Sequence, residues 1–194
     1  MKMRAVEKRL PRNARQVFRG VFFSVHQWRQ KRFDGSTTIF ERVSRPDATI
    51  VVPVTTDGRI LILRQKQPAS RWFTCLPGGL VDHGESVRRS AVRELLEETG
   101  YHPRRMVRWF TIPPRFRVMS SAHVFIAQDC TRIGRPRLDG GERIIVRPVS
   151  FSEFLRIAAR PGFRHEAITI EVLRAQLNAR ALNELRRKLF GRSG

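Results

Sequence analysis

Apolar and polar positions alternate along the first third of the chain. GVFFSVHQWRQ and TTIFERVSR lie on either side of the turn signal Phe33-Asp34-Gly35-Ser36, which predicts a β-hairpin. ATIVVPVTT and RILILRQ flank Asp57-Gly58 and predict a second one. Within it, Ile60–Leu63 is a continuous apolar run, as expected of a strand buried on both faces. The alternation stops in a loop, Gln67–Gly84, that carries Pro68, Pro77, Gly78, Gly79 and Gly84. A helical period follows over Val87–Thr99, with Ser86 placed to cap its start and Gly100 its end. Strands are predicted near Met106–Ile112, Ala122–Ala127 and Arg143–Val149, then a helix capped by Ser150 or Ser152 and running through Ala159. A last helix is predicted over about His165–Leu189, ending in the basic tail Arg186-Arg187-Lys188. Hairpins interspersed with helices predict an α/β fold whose sheet is mixed rather than purely parallel. The 194 residues fit one domain with an appendage, or two small ones.

Charge changes this picture more than composition does. The chain carries a formal +21, and 33 of its 38 basic residues are arginine. Residues 1–45 hold 12 basic and 3 acidic groups, residues 46–101 hold 7 of each, and residues 102–194 hold 19 and 7. A positive field around a neutral centre attracts polyanions, whether nucleic acid or phosphorylated small molecules. No apolar run approaches the length of a membrane span, and the opening MKMRAVEKRLPRNARQ lacks the apolar stretch of a secretory signal. Cys75 and Cys130 form neither a disulfide framework nor a zinc-ligand spacing, so a cytoplasmic setting is expected.

The neutral centre conceals a local excess. Asp82, Glu85, Glu94, Glu97 and Glu98 crowd into GLVDHGESVRRSAVRELLEETGY. On a helical wheel Val87, Ala91, Val92, Leu95 and Thr99 make the core-facing stripe, and the three late glutamates fill an adjoining arc with Glu98 at the stripe's edge. A partly buried carboxylate beside another is penalised by desolvation and by repulsion. A divalent cation would remove both penalties, because clustered hard oxygens are the ligands that Mg²⁺ or Mn²⁺ takes. The residues alone leave two other accounts open: Arg93 neutralising one of the charges, though not three, or a merely solvated acidic face.

Gly79, Glu85, Arg93, Glu94, Glu97, Glu98 and Gly100 fit, without a gap, the signature G-x5-E-x7-R-E-U-x-E-E-x-G-U of the Nudix hydrolases, U being bulky and apolar. Leu95 supplies the first U; Tyr101 stands at the second, where an aliphatic residue is commoner. The resemblance implies a Nudix fold, an α/β/α sandwich with a mixed sheet, preceded by a small N-terminal antiparallel β unit. It implies Mg²⁺ (or Mn²⁺) held by Glu94 and Glu98, with Glu97 assisting, the Gly78 carbonyl as a backbone ligand, and Glu85 either binding metal or pairing with Arg93. The implied catalytic group comprises Arg93, Glu97 and a general base.

ILILRQKQPASRWFTCLPGGLVDHGES further resembles the ADP-ribose pyrophosphatase branch, and DGGERIIVRPVSFSEFL resembles its late acidic loop. By that resemblance the general base is Glu142, with Asp139 in reserve, and the substrate is ADP-ribose or a related nucleoside diphosphate sugar. Trp28 or Phe23 would stack on a base, Arg64 would contact substrate, and Arg115 or Arg117 would hold a terminal phosphate. Residues 1–45 would form a basic arm and hairpin that support a homodimer, and 46–194 the hydrolase domain with its basic C-terminal helix. Thr74, where the branch usually has Glu, and the basic segment TIPPRFRVMSS depart from the branch pattern. They leave open RNA 5′ ends, dinucleoside polyphosphates or nucleoside triphosphates as substrates. A nucleic-acid-binding sensor, motivated by the basic flanks, is the non-enzymatic alternative.

Overall fold

The structure is a computed structural model that describes residues 10–191. The first nine residues of the expected basic arm therefore lie outside the described residues. Strands β1 (Arg15–Arg19), β2 (Ser24–Lys31) and β3 (Thr37–Ser44) form a three-stranded antiparallel sheet in that order. The β2–β3 register runs unbroken from Ser24↔Ser44 to Lys31↔Thr37. Its turn is set by the Asp34 carboxylate, which accepts from the Ser36 N–H and hydroxyl, and by Gly35 at φ 84°. Strand β1 falls in the stretch expected to be an arm. It is exposed along its whole length and so shows no buried periodicity.

The second hairpin forms its turn but not its ladder. β4 (Ala48–Thr55) and β5 (Ile60–Lys66) share the single pair Val54↔Ile60 and then diverge. β4 runs parallel to β8 (Ala122–Arg132), which pairs antiparallel with β7 (Tyr101–Ile112). β5 pairs antiparallel with β6 (Phe73–Cys75) on one edge and β9 (Arg143–Val149) on the other. The resulting sheet is mixed, in the order β6-β5-β4-β8-β7 with β9 beside β5. Burial on both faces explains the divergence, since Ile60, Leu61, Ile62 and Leu63 are all inaccessible and each face needs a cover.

Two helical layers provide those covers, and β4 and β8 alternate between them. Val51, Phe125 and Ala127 pack with Ala91 and Leu95 of α1 (Val87–Thr99). Val52, Val124 and Ile126 face the opposite cluster, built with α2 (Phe151–Ala158), α3 (Glu166–Ala175) and α4 (Ala179–Phe190). Each fully buried Leu or Ile contributes about 1.5–3 kcal/mol relative to exposure. The single late helix expected over His165–Leu189 is corrected to two. Asn178, in extended backbone, caps α4 by accepting from the Ala181 N–H at 2.9 Å. Among the described residues no helix is long and apolar enough to cross a membrane.

Candidate active site

The site forms where the loop Pro77–Gly79 crosses the start of β4 beneath α1. The Thr49 N–H donates to the Gly79 carbonyl and the Val51 N–H to the Pro77 carbonyl, each at 2.8 Å. A Cβ on Gly78 would stand 2.1 Å from the Thr49 carbonyl oxygen, and one on Gly79 would stand 2.4 Å from Glu94 Oε1. Glycine is needed at Gly78, where backbone occupies the space a side chain would take; at Gly79 a side chain would displace the Glu94 carboxylate.

Helix α1 has the predicted limits. Ser86 Oγ accepts from the Arg89 N–H, and Gly100 ends the helix at φ 76° with its N–H on the Leu96 carbonyl. Ala91, Leu95 and Thr99 are buried as the wheel requires, and Ser90 joins them. Glu98 is buried with them at 6% exposure. It accepts the Gly78 N–H at 2.8 Å, and no cationic side chain of the described residues reaches it. Burial pushes its carboxyl up to about 8, against the Gly78 bond and with help from the charges of Glu94, Glu142 and Glu97. Burial raises Glu94 too, partly offset by Arg93.

Arg93 gathers the remaining acids. Its Nε and Nη2 fork onto Glu85 at 3.2 and 3.0 Å, while Nη1 donates to Glu94 at 2.8 Å and to Glu97 at 3.1 Å. Arg93 brings one positive charge, and its five donors spread it over these three carboxylates, with Asp82 a fourth at 3.6 Å, because they fan out over a loop and a helix turn. The three are not the helical triad, however, since Glu85 replaces Glu98. This fork holds the Glu85 carboxyl below the usual range. With the glutamates drawn onto Arg93, no three His, Cys, Asp or Glu side chains of the described residues are gathered as metal ligands.

Glu142 sits just ahead of β9, and its Oε1 accepts from Gln65 Nε2 at 3.0 Å and Gln67 Nε2 at 3.1 Å. Its charge is among the influences that raise Glu94 and Glu98. Gln65 is itself buried and accepts from Cys75 Sγ at 3.1 Å. Sequence reasoning passed over the two glutamines that position Glu142. The available signal was a polar Gln65 two positions after Leu63, on the same face of a strand that begins as a continuous apolar run. The Asp139 carbonyl accepts the Glu142 N–H at 2.9 Å, and Asp139 lines a cleft along α1.

Of the expected substrate contacts, Trp28 and Arg117 share one aromatic neighbour, Phe40, while Arg64 packs elsewhere, on Trp72. Trp28 is buried at 7% exposure in the N-terminal sheet, 5.2 Å from Phe40, with its Nε1 donating to Gln30. Phe23 is exposed ahead of β2. Arg64 lies over Trp72 at 5.1 Å, Arg117 lies over Phe40 at 5.0 Å, and Arg115 is exposed on the loop after β7. Among the described residues none of these five bonds to the acid cluster.

Residues 44–167 match the NUDIX domain model. The chain belongs to the Nudix family. It is 30% identical over 146 residues to an ADP-ribose pyrophosphatase of Bacillus subtilis (strain 168), covering 73% of this chain and 78% of that relative. It is also 30% identical over 122 residues to the ADP compounds hydrolase NudE of Escherichia coli (strain K12), with 60% and 64% covered. A crystal structure of an ADP compounds hydrolase superposes with a TM-score of 0.66 at 21% identity, covering 90% of this chain and 96% of the other, a likeness of fold. The chain is thus a Nudix hydrolase related to ADP-ribose pyrophosphatases, with a mixed sheet between helices and a small N-terminal antiparallel sheet. Nudix enzymes act on small nucleotide substrates and generally need a divalent metal. The donors here fit one by their chemistry: hard carboxylate oxygens, those of buried Glu98 and half-buried Glu94 set against the glycine loop.

Proposed function

We propose that this Nudix hydrolase splits the pyrophosphate link of ADP-ribose or a related nucleoside diphosphate sugar, releasing a nucleoside monophosphate and a sugar phosphate. The observation that carries the reading is buried Glu98 and half-buried Glu94 set against Gly78–Gly79, with the charge of Glu142 bearing on both. Glu94 and Glu98 would hold Mg²⁺ or Mn²⁺ with Glu97 and the Gly78 carbonyl. Glu85, forked onto Arg93 at 3.2 and 3.0 Å, fits the pairing role among the two expected of it. The bound ion supplies charge neutralisation on the phosphates and a more acidic water.

The protein's own groups do the rest. Gly78 N–H fixes one Glu98 oxygen, and Arg93 holds Glu94 and Glu97 until they are needed. Glu142, oriented by Gln65 and Gln67, accepts the proton of the attacking water. The water oxygen bonds to one phosphorus while the bond from that phosphorus to the bridging oxygen breaks, and the second phosphate leaves with the bridging oxygen. Trp28, Arg64 and Arg115 remain candidates for substrate contact, reached through movement or a second copy of the chain.

A homodimer through residues 1–45 belongs to the same proposal. The N-terminal sheet and its loop expose Phe18 at 57% and Phe22 at 59%, an apolar face that a second copy would cover. Release of AMP from ADP-ribose, measured with Mg²⁺ and with EDTA, tests the activity. Metal-independent or absent turnover by folded protein would end the proposal, and sedimentation at a single monomer mass would end the dimer.

A further inference from the structure

A cleft of about 1040 Å³ runs along the side of α1 that bears Arg88, Arg89, Val92 and Leu96. Its far wall is segment 133–139, which follows β8. Backbone bonds hold that wall in place: the N–H groups of Ile133 and Gly134 reach the Gly100 carbonyl, and the Arg137 N–H reaches the Glu97 carbonyl at 2.7 Å. The rim carries four exposed arginines, Arg88 and Arg89 from α1 and Arg135 and Arg137 from the wall. None of the four pairs with a carboxylate of the described residues. Of the three acids that share the cleft, Glu85 and Glu97 are already bonded to Arg93, which leaves Asp139 against the four arginines. The floor is apolar, with half-buried Val92 and Leu96 one turn apart and Ile133 exposed at 62%.

We propose that this cleft is a nucleotide-phosphate subsite, contiguous with the acid cluster yet separate from it, that takes the anionic end of a phosphorylated nucleoside. Unpaired guanidinium forks match phosphate oxygens in geometry as well as charge. An apolar strip between them matches the face of a flat ring. The acid cluster, by contrast, repels phosphate until a metal enters. A cleft with spare positive charge therefore implies a substrate with phosphate charge beyond the link that is cut. For the identity of that substrate the proposal rests on the hydrolase reading above.

The test is calorimetric titration of the full chain with ADP in EDTA at about 0.15 M salt, where no metal can bridge ADP to the acids. Saturable 1:1 binding is expected, with adenosine weaker by at least about tenfold. The double variant R135E/R137E, on exposed wall residues, is expected to weaken ADP by at least about tenfold. R180E/R187E, on α4 across the sheet, is expected to stay within about twofold, which separates a site from the general field. Absent saturation, adenosine equal to ADP, or equal losses in both variants would overturn the proposal. So would a single-stranded oligonucleotide that binds more tightly than ADP and is lost in R135E/R137E, since the occupant would then be a strand. Wild type that binds ADP in EDTA but hydrolyses no diphosphate ester keeps the subsite and removes the activity. Turnover without ADP binding does the reverse.

Discussion

Glu98 accepts the backbone N–H of Gly78 at 2.8 Å, twenty positions back along the chain. That bond seats a carboxyl in a place where burial favours its neutral form up to about pH 8. Glu98→Gln preserves the shape and the acceptor while removing the charge. In EDTA at neutral pH its melting temperature is expected to equal or exceed that of wild type, because the native carboxyl is penalised whenever it ionises. Hydrolysis with Mg²⁺ is expected to fall by about 10²-fold or more, since a lost metal ligand removes several kcal/mol of charge stabilisation. A variant with lower stability and full turnover would show that Glu98 is structural only.

Among the described residues Arg93 is the cation bonded to Glu85, Glu94 and Glu97, with Asp82 at 3.6 Å, so its removal leaves these carboxylates facing one another. Arg93→Ala is expected to lower stability in EDTA by about 2–3 kcal/mol, less than for a fully buried pair because the guanidinium is partly exposed. Mg²⁺ is expected to restore part of that loss by supplying the missing positive charge. Arg93→Lys should fall between the two, as an ammonium cannot reproduce the fork onto Glu85. Urea denaturation with EDTA and with Mg²⁺ measures all three, and a loss that ignores the metal would refute the shared-charge account.

The helix that carries these acids was legible because both its ends are written locally. Ser86 and Gly100 bound it at the residues where the period starts and stops, and Val87–Thr99 is the helix observed. Glu98's burial was legible for the same reason, as it lies at the edge of a stripe that only a helix makes. What escaped the sequence depends on distant partners. Asp57-Gly58 marks a turn correctly, but whether β4 then stays with β5 is decided by β8, β6 and β9 competing for both strands. Asn178 interrupts an apolar period that continues on both sides, so the break between α3 and α4 is hidden in a pattern that still reads as helical. Gln65 and Gln67 meet Glu142 across more than seventy residues, and no spacing rule records such a contact.

Gly100 ends α1 and also receives the wall of the arginine cleft. Its φ of 76° disfavours any side chain, and a Cβ there would stand 2.4 Å from the Gly134 carbonyl oxygen. Gly100→Ala is therefore expected to cost at least about 1–2 kcal/mol, above the usual value for a left-handed helix end because backbone must also shift. Hydrogen exchange should rise at the Ile133, Gly134 and Arg137 amides in particular, since these bond to the end of α1. Uniform loosening without that local signature would show that Gly100 acts through the helix end alone.

His165 gives the fold an acid-sensitive joint away from the acid cluster. Its Nε2 lies 3.3 Å from the Leu76 carbonyl, so the neutral ring donates from that nitrogen, and its edge meets Phe163 at 5.6 Å. Burial, opposed by the Leu76 bond and reinforced by neighbouring Arg164, pulls its pKa down to about 4 from an ordinary 6.5. Between those values the unfolded chain binds a proton that the folded chain refuses, so stability rises with pH. The contribution is complete above about pH 6.5 and is lost as pH falls through the folded value, to a total of at most about 3 kcal/mol. His165→Gln retains a side-chain donor but cannot titrate. Urea denaturation of both proteins in EDTA at several pH values from 7.5 to about 4.5 isolates the effect, because every other titrating group is common to the two. Wild type should lose stability relative to the variant across that range, whereas parallel curves would show that His165 is protonated without cost in the fold.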